Sequence, residues 1–106
     1  MINIVRTDNE IHVKGHANDK THPRCEESVQ ACECVTALTQ TLLHSIHKLG
    51  KDYPEYTLKY GEFKIDTTKL SNISRILVAS FMVGVKLAST TYIDYITVVD
   101  NKSRRV

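Results

Sequence analysis

The chain has no uninterrupted apolar stretch approaching the ~20 residues that span a bilayer. Its longest runs, such as Ile76-Leu77-Val78-Ala79, are soon broken by polar residues, so a membrane-embedded protein is not expected. The start, Met1-Ile2-Asn3-Ile4-Val5, lacks the basic residues and long apolar segment of a secretory signal. Cysteine is scarce and odd in number: three thiols cannot all pair within one chain, which points to a reducing cytoplasm rather than an oxidising compartment. A dominant charge is also missing. Fourteen basic and twelve acidic side chains leave a formal net charge of +2, too small a field to argue for a nucleic-acid partner. The one basic cluster, Lys102-Ser103-Arg104-Arg105, reads as a solvated tail. Internal repeats and low-complexity segments are absent.

What is present is an ordinary globular composition, 42% hydrophobic and 25% charged over 106 residues, which gives room for one domain with one core. Ile2 and Ile4, then Ile11 and Val13, alternate on either side of Thr7-Asp8-Asn9-Glu10, predicting an antiparallel hairpin. In its second strand His12, Lys14 and His16 take the opposite parity, so His16 should point away from the main apolar face. Residues 17–28 are polar, contain Pro23 and show no period, which predicts a loop that closes over a ligand as a lid. From Ser28 as N-cap, Val35, Leu38, Leu42, Ile46 and Leu49 recur at helical spacing up to Gly50. Tyr56, Leu58 and Tyr60 predict a strand that continues through a bulge at Gly61 into Phe63 and Ile65. Ser71 should cap a second helix with Ile73, Ile76, Leu77, Ser80, Phe81, Gly84 and Leu87 inward, and a last strand should run from Tyr92 to Val99. The order β-β-α-β-α-β predicts a two-layer α/β (α+β) sandwich, a small mixed sheet with two helices.

Chemistry concentrates where the second strand meets the first helix. Gly15-His16-Ala17 ends the strand and Cys32-Glu33-Cys34-Val35-Thr36-Ala37-Leu38 lies early in the helix, so an imidazole and a thiol face one junction. That is the minimum kit for a cysteine nucleophile with a histidine base. On residues alone Cys32 reads as well as an inert thiol at the edge of the core, and His16 as a surface histidine at a strand end. Helical geometry separates the two close cysteines: Cys32 and Cys34 lie roughly 80° to either side of the apolar stripe, so both cannot face His16. A first-turn position would favour the Cys32 thiolate and offer its backbone N–H, with others at the helix start, to an oxyanion. Thr36, one turn on, either hydrogen-bonds in the site or bonds back to its own helix. Gly15 and Ala17 matter by their smallness. His16, His22, Cys25, Cys32 and Cys34 also gather five potential zinc ligands, but none has the Cys-x-x-Cys spacing of structural zinc sites. A non-enzymatic binding module, ribosome-associated through the basic tail, is the other rival, and it requires an unreactive Cys32.

Gly-His-Ala followed, after a loop, by Cys-x-x-Val-Thr-Ala-Leu resembles the ribosomal-processing cysteine proteases of the Prp family, some members of which belong to phages. The resemblance implies Cys32 as nucleophile, His16 as base and Thr36 at the position of the family's serine. It implies a peptide hydrolase that needs no cofactor or metal and forms homodimers, here through an edge strand containing Tyr92, Tyr95 and Ile96. The implied substrate is a short N-terminal extension of a large-subunit ribosomal protein, or a phage capsid or scaffold protein. Two features depart from the family pattern. Val29 stands where an acidic residue is usual, and the loop between His16 and Cys32 is long and lacks a glycine. Either the third member of the site is dispensable, or Asp19, Glu26 or Glu27 supplies the carboxylate from elsewhere in the loop.

Overall fold

The computed structural model describes residues 1–19 and 22–102, so the basic tail beyond Lys102 lies outside the described residues. β1 (Ile2–Arg6) and β2 (Glu10–Gly15) form the expected antiparallel hairpin, with Ile4 opposite Val13 and Arg6 opposite Ile11. Thr7 closes the turn, its hydroxyl accepting from the N–H groups of Asn9 and Glu10 at 3.2 and 3.3 Å. The pleat sends Ile2, Ile4, Ile11 and Val13 into the core and leaves Asn3 and Lys14 exposed. There follow α1 (Glu26–Lys48), β3 (Tyr56–Lys59), β4 (Glu62–Asp66), α2 (Asn72–Thr91) and β5 (Ile96–Asp100). The strands make one mixed sheet in the order β3-β4-β2-β1-β5, with β5 parallel to β1 and the other neighbours antiparallel. Both helices cover one face, which gives the expected two-layer α+β sandwich. Across the parallel pair Arg6 forks onto Asp100 at 2.8 and 2.9 Å, and Lys86 of α2 joins at 3.0 Å. The Arg6 guanidinium holds the Asp100 carboxyl well below the ordinary carboxylate range.

Four local expectations are corrected. The segment around Gly61 is not a bulge in one bent strand: β3 and β4 are a hairpin with Lys59 opposite Glu62, and Tyr60-Gly61 is its two-residue turn, with φ +77° at Gly61. A glycine between alternating runs signals either device, and only strand pairing separates them. Helix α1 begins at Glu26, three residues before the expected first turn, and its N-cap is Cys25 rather than Ser28. Ser28 instead occupies the third helical position, fully buried, where its hydroxyl accepts from the Cys25 N–H at 2.8 Å. The last strand starts at Ile96, after a turn carrying Tyr92 and Tyr95, and Ile96 is buried in the core.

The fourth correction is the rotation of α2. It buries Ser74, Val78, Phe81, Met82, Val85 and Ala88 and turns Ile73, Ile76, Ser80 and Leu87 outward, with Leu77 and Gly84 half-buried. This helix is apolar on both sides, so hydrophobicity does not choose its register. Close packing does: a Cβ on Gly50 would sit 1.9 Å from the Ser74 hydroxyl, and one on Gly84 would sit 3.0 Å from a Leu38 methyl. Ser71, the expected cap, accepts from the Ser74 N–H and donates to Asp52 at 2.7 Å. At 20 residues and mean hydropathy 1.4, α2 is by length and composition alone long and apolar enough to cross a membrane, which the apolar runs read from the sequence did not suggest. Here it packs one face on the sheet, as core helices of the same composition do.

Candidate active site

A cleft of about 530 Å³ opens between the N-terminal half of α1 and the β3–β4 hairpin. Cys32 and Thr36 reach it from α1, Gly15 and His16 from the end of β2, Leu58, Tyr60 and Gly61 from the hairpin, and Asn18, Arg24 and Val29 from the loop and first turns of the helix. The structure thus brings the two predicted chemical groups, Cys32 and His16, to one concave site. The route differs from the expected one. Gly15 takes φ +106°, a backbone state that a side chain would strain, and a Cβ there would lie 2.3 Å from the Met1 carbonyl oxygen. The strand alternation therefore ends at Gly15. His16 lines the cleft beside Ile2 and Val13 of the apolar face rather than projecting to the opposite side. Ala17 is fully buried behind it and does not line the cleft.

The imidazole of His16 lies on the hairpin turn. Its ring centroid is 4.5 Å from that of Tyr60, with planes inclined at 36°. Below it, Gly61 leaves so little space that a Cβ would stand 2.7 Å from His16 Nε2. The Gly15 N–H donates to the Gly61 carbonyl at 2.9 Å, which ties the end of β2 to the same turn. Neither Tyr60 nor Gly61 is among the site residues expected from the sequence. The available signal was a glycine flanked by strand-like alternation, and reading it as a bulge hid the turn.

Cys32 is half-buried and is the seventh residue of α1. Inside a helix its N–H is committed to the carbonyl one turn back, because only the first four are free. The expected oxyanion role for that N–H is therefore withdrawn. Side-chain donors remain in the cleft, the Asn18 amide and the Thr36 hydroxyl. The carboxylates considered as substitutes lie elsewhere. Asp19 bonds the His22 N–H at 2.8 Å and the Met1 amino group at 3.1 Å; Glu26 accepts from Gln30 at 3.4 Å; and Glu26 and Glu27 are exposed in the first turn of α1. Among the described residues the carboxylates lining the cleft are Glu33 and Glu62. Glu62 is engaged by His12 at 2.6 Å and Lys59 at 3.3 Å, and the hydrogen bond from His12 holds it below its ordinary range.

A second thiol–imidazole neighbourhood lies at the start of α1. The exposed Cys25 Sγ is 3.3 Å from the Tyr95 hydroxyl, and the Tyr95 ring meets the His22 ring edge-on at 5.7 Å. The hydrogen bond from Tyr95, aided by the backbone N–H of Ser28, lowers the Cys25 thiol below its usual value, while the same bond with Cys25 pushes Tyr95 up to about 12. The five potential zinc ligands are thus dispersed. His16 and Cys32 share the cleft, His22 and Cys25 flank Tyr95, and Cys34 packs against the core. Among the described residues no group of three metal-binding side chains converges.

The fold and cleft define a class of small α+β domain: a five-stranded mixed sheet with two helices on one face and a thiol and imidazole under a hairpin. Solved structures share the sheet-and-helix arrangement along nearly the whole chain. The essential ribosomal processing protease Prp from S. aureus, in complex with a substrate peptide, superposes with a TM-score of 0.78 at 14% identity, covering 95% of this chain and 100% of that one. The same protease in complex with a covalently linked product peptide gives 0.74 at 16% identity, with 95% and 100% covered. SMU.848 from Streptococcus mutans gives 0.74 at 17%, with 96% and 93% covered. No protein-family model matches the chain, and no curated protein matches it in sequence.

Proposed function

We propose that the chain is a cysteine endopeptidase in which Cys32 is the nucleophile and His16 the general base. The observation that carries this reading is the shared cleft of Cys32 and His16 in a chain with the fold of a protease that has been captured covalently linked to its product peptide. His16 takes the Cys32 proton, and the thiolate attacks the scissile carbonyl carbon. The tetrahedral oxyanion is met by the Asn18 amide and Thr36 hydroxyl, both in the cleft. His16 then gives its proton to the leaving amine, a thioester remains on Cys32, and a water deprotonated by His16 releases the acid. None of these steps calls for a metal or organic cofactor.

The substrate class is a peptide segment of a protein. An N-terminal extension of a ribosomal protein is the first choice, given the function of the S. aureus neighbour, and a phage capsid or scaffold protein is the alternative. Leu58, Phe63 and Val35 give the cleft an apolar side for such a segment. Three free thiols suit a reducing cytoplasm. Ile96 is buried, so its side chain is not open to a second copy, although β5 keeps a free backbone edge. The outer stripe Ile73, Ile76, Ser80, Val83 and Leu87 of α2 is a second dimer surface, spaced as in paired helices and itself free of charge. Val83→Glu should then shift a dimer to monomer in light scattering.

The deciding experiment incubates purified protein with peptides spanning the start of a ribosomal protein and follows both cleavage and intact mass. Cleavage with an acyl adduct that maps to Cys32 is expected. Cleavage that persists in Cys32→Ser protein would overturn the assignment.

A further inference from the structure

Cysteine–histidine sites generally hold the imidazole by a third group at its edge, and here the position expected to supply a carboxylate is Val29. The geometry points to another device: we propose that Tyr60 and Gly61, the turn of the β3–β4 hairpin, are the positioning residues for His16. This rests on the assignment of His16 as base.

Three contacts confine the ring. The Tyr60 ring leans against the imidazole, centroids 4.5 Å apart and planes inclined at 36°; Gly61 passes under the Nε2 and Cε1 edge, and the Gly15 N–H to Gly61 carbonyl bond at 2.9 Å registers the turn against the residue that precedes His16. A histidine has two side-chain torsions. A ring leaning on one side and backbone close to one edge remove rotamers, and that is the preorganisation a base needs to meet a thiol at fixed distance. Gly61 suits the position twice over. Its φ of +77° is strained for any other residue, and any Cβ would displace the imidazole. Tyr60 is 94% exposed, an unusual state for an aromatic ring with no packing duty. The ring contact with His16 supplies a reason for it. Because Tyr60 carries little of the core, replacing it leaves the fold intact.

The test compares Tyr60→Leu, Tyr60→Phe and Gly61→Ala with wild type in peptide cleavage, together with the His16 imidazole proton resonances by NMR. Tyr60→Leu should lower kcat by about tenfold or more with little change in KM, the cost of a misoriented base. Tyr60→Phe, which keeps the ring, should restore it. The His16 resonances should move downfield in Tyr60→Leu as ring-current shielding is lost, and should stay in place in Tyr60→Phe. Gly61→Ala should lose more activity than Tyr60→Leu and shift the same resonances while the remaining spectrum stays dispersed. A rise in KM at unchanged kcat would make Tyr60 a substrate contact and overturn the proposal, as would unmoved His16 resonances. If Cys32→Ser or His16→Ala retained full cleavage, the protease assignment would fall instead, and the NMR arm would still decide whether the turn holds the ring.

Discussion

The cleft at Cys32 and the cap at Cys25 are two thiol–imidazole neighbourhoods on one helix, about two turns apart, and they are built on opposite principles. At the cap the thiol is exposed, hydrogen-bonded to Tyr95 and Ser28, and lowered toward thiolate, but it faces open solvent. In the cleft the thiol is half-buried and shares a concavity of about 530 Å³ with His16, which lies against the hairpin turn, and apolar and polar side chains both line it. A low thiol pKa makes a residue reactive toward small electrophiles. Catalysis also needs a bound substrate, a base in reach and donors where charge develops. A lowered thiol without a cleft around it is therefore a weaker argument for a nucleophile than a thiol that shares a cleft with an imidazole.

The comparison breaks most sharply under paired substitutions. Cys32→Ser is expected to lose ~10⁴-fold or more in cleavage rate, the scale for removing a covalent nucleophile, and His16→Ala about 10²- to 10⁴-fold as a general base. Cys25→Ser and His22→Ala should each leave the rate within a few-fold of wild type. Steady-state kinetics on one peptide decides it. Equal losses at the two sites would mean that they act as a unit, and loss only at Cys25 would reverse the assignment.

The same two regions show what sequence could and could not convey. The β1–β2 hairpin, the α1 stripe and the two-layer architecture follow from alternation and helical spacing, because in each a single apolar face meets polar neighbours. The rotation of α2 does not follow, since Ile73, Ile76 and Leu87 outside are as apolar as Val78, Phe81 and Val85 inside. Contacts of Gly50 and Gly84 decide it, and these pair residues far apart in the chain. Within the site, Cys32 and His16 were legible as residue types at a strand–helix junction. Tyr60 and Gly61 were not, because their meeting with His16 depends on β4 pairing with β2, a long-range register that no local pattern encodes. The start of α1 was misplaced because cysteine is an uncommon N-cap and Ser28, a favoured one, works here from inside the helix.

Val29 allows the cleft to be sharpened. It lines the cleft one turn before Cys32, so Val29→Asp would place a carboxylate near the imidazole. If the hairpin turn orients His16 incompletely, the rate should rise by up to roughly tenfold, about the worth of one charge-assisted hydrogen bond. Glu26→Gln and Glu27→Gln, whose parents are exposed outside the cleft, should change little. A large loss in either glutamine variant would show that the first turn of α1 reaches the site during catalysis.

The smallest expected effect lies at the cap, and it is read by alkylation rather than cleavage. Iodoacetamide labelling, resolved by cysteine with mass spectrometry, should modify Cys25 faster than Cys32 or Cys34 at neutral pH, because the Tyr95 hydroxyl and the Ser28 N–H favour its thiolate and the side chain is open to solvent. Tyr95→Phe removes the first of these bonds, so the Cys25 pKa should rise toward the ordinary ~8.5 and its labelling at pH 7 should slow several-fold. The difference shrinks as pH rises. Well above pH 9 both proteins hold Cys25 as thiolate and the two rates should converge, or favour the variant slightly because a more basic thiolate is the better nucleophile. Through all of this the cleavage rate should stay flat, since the cap has no cleft. A Tyr95→Phe variant that lost cleavage in step with Cys25 labelling would join the two neighbourhoods into one catalytic system and dissolve the distinction between them.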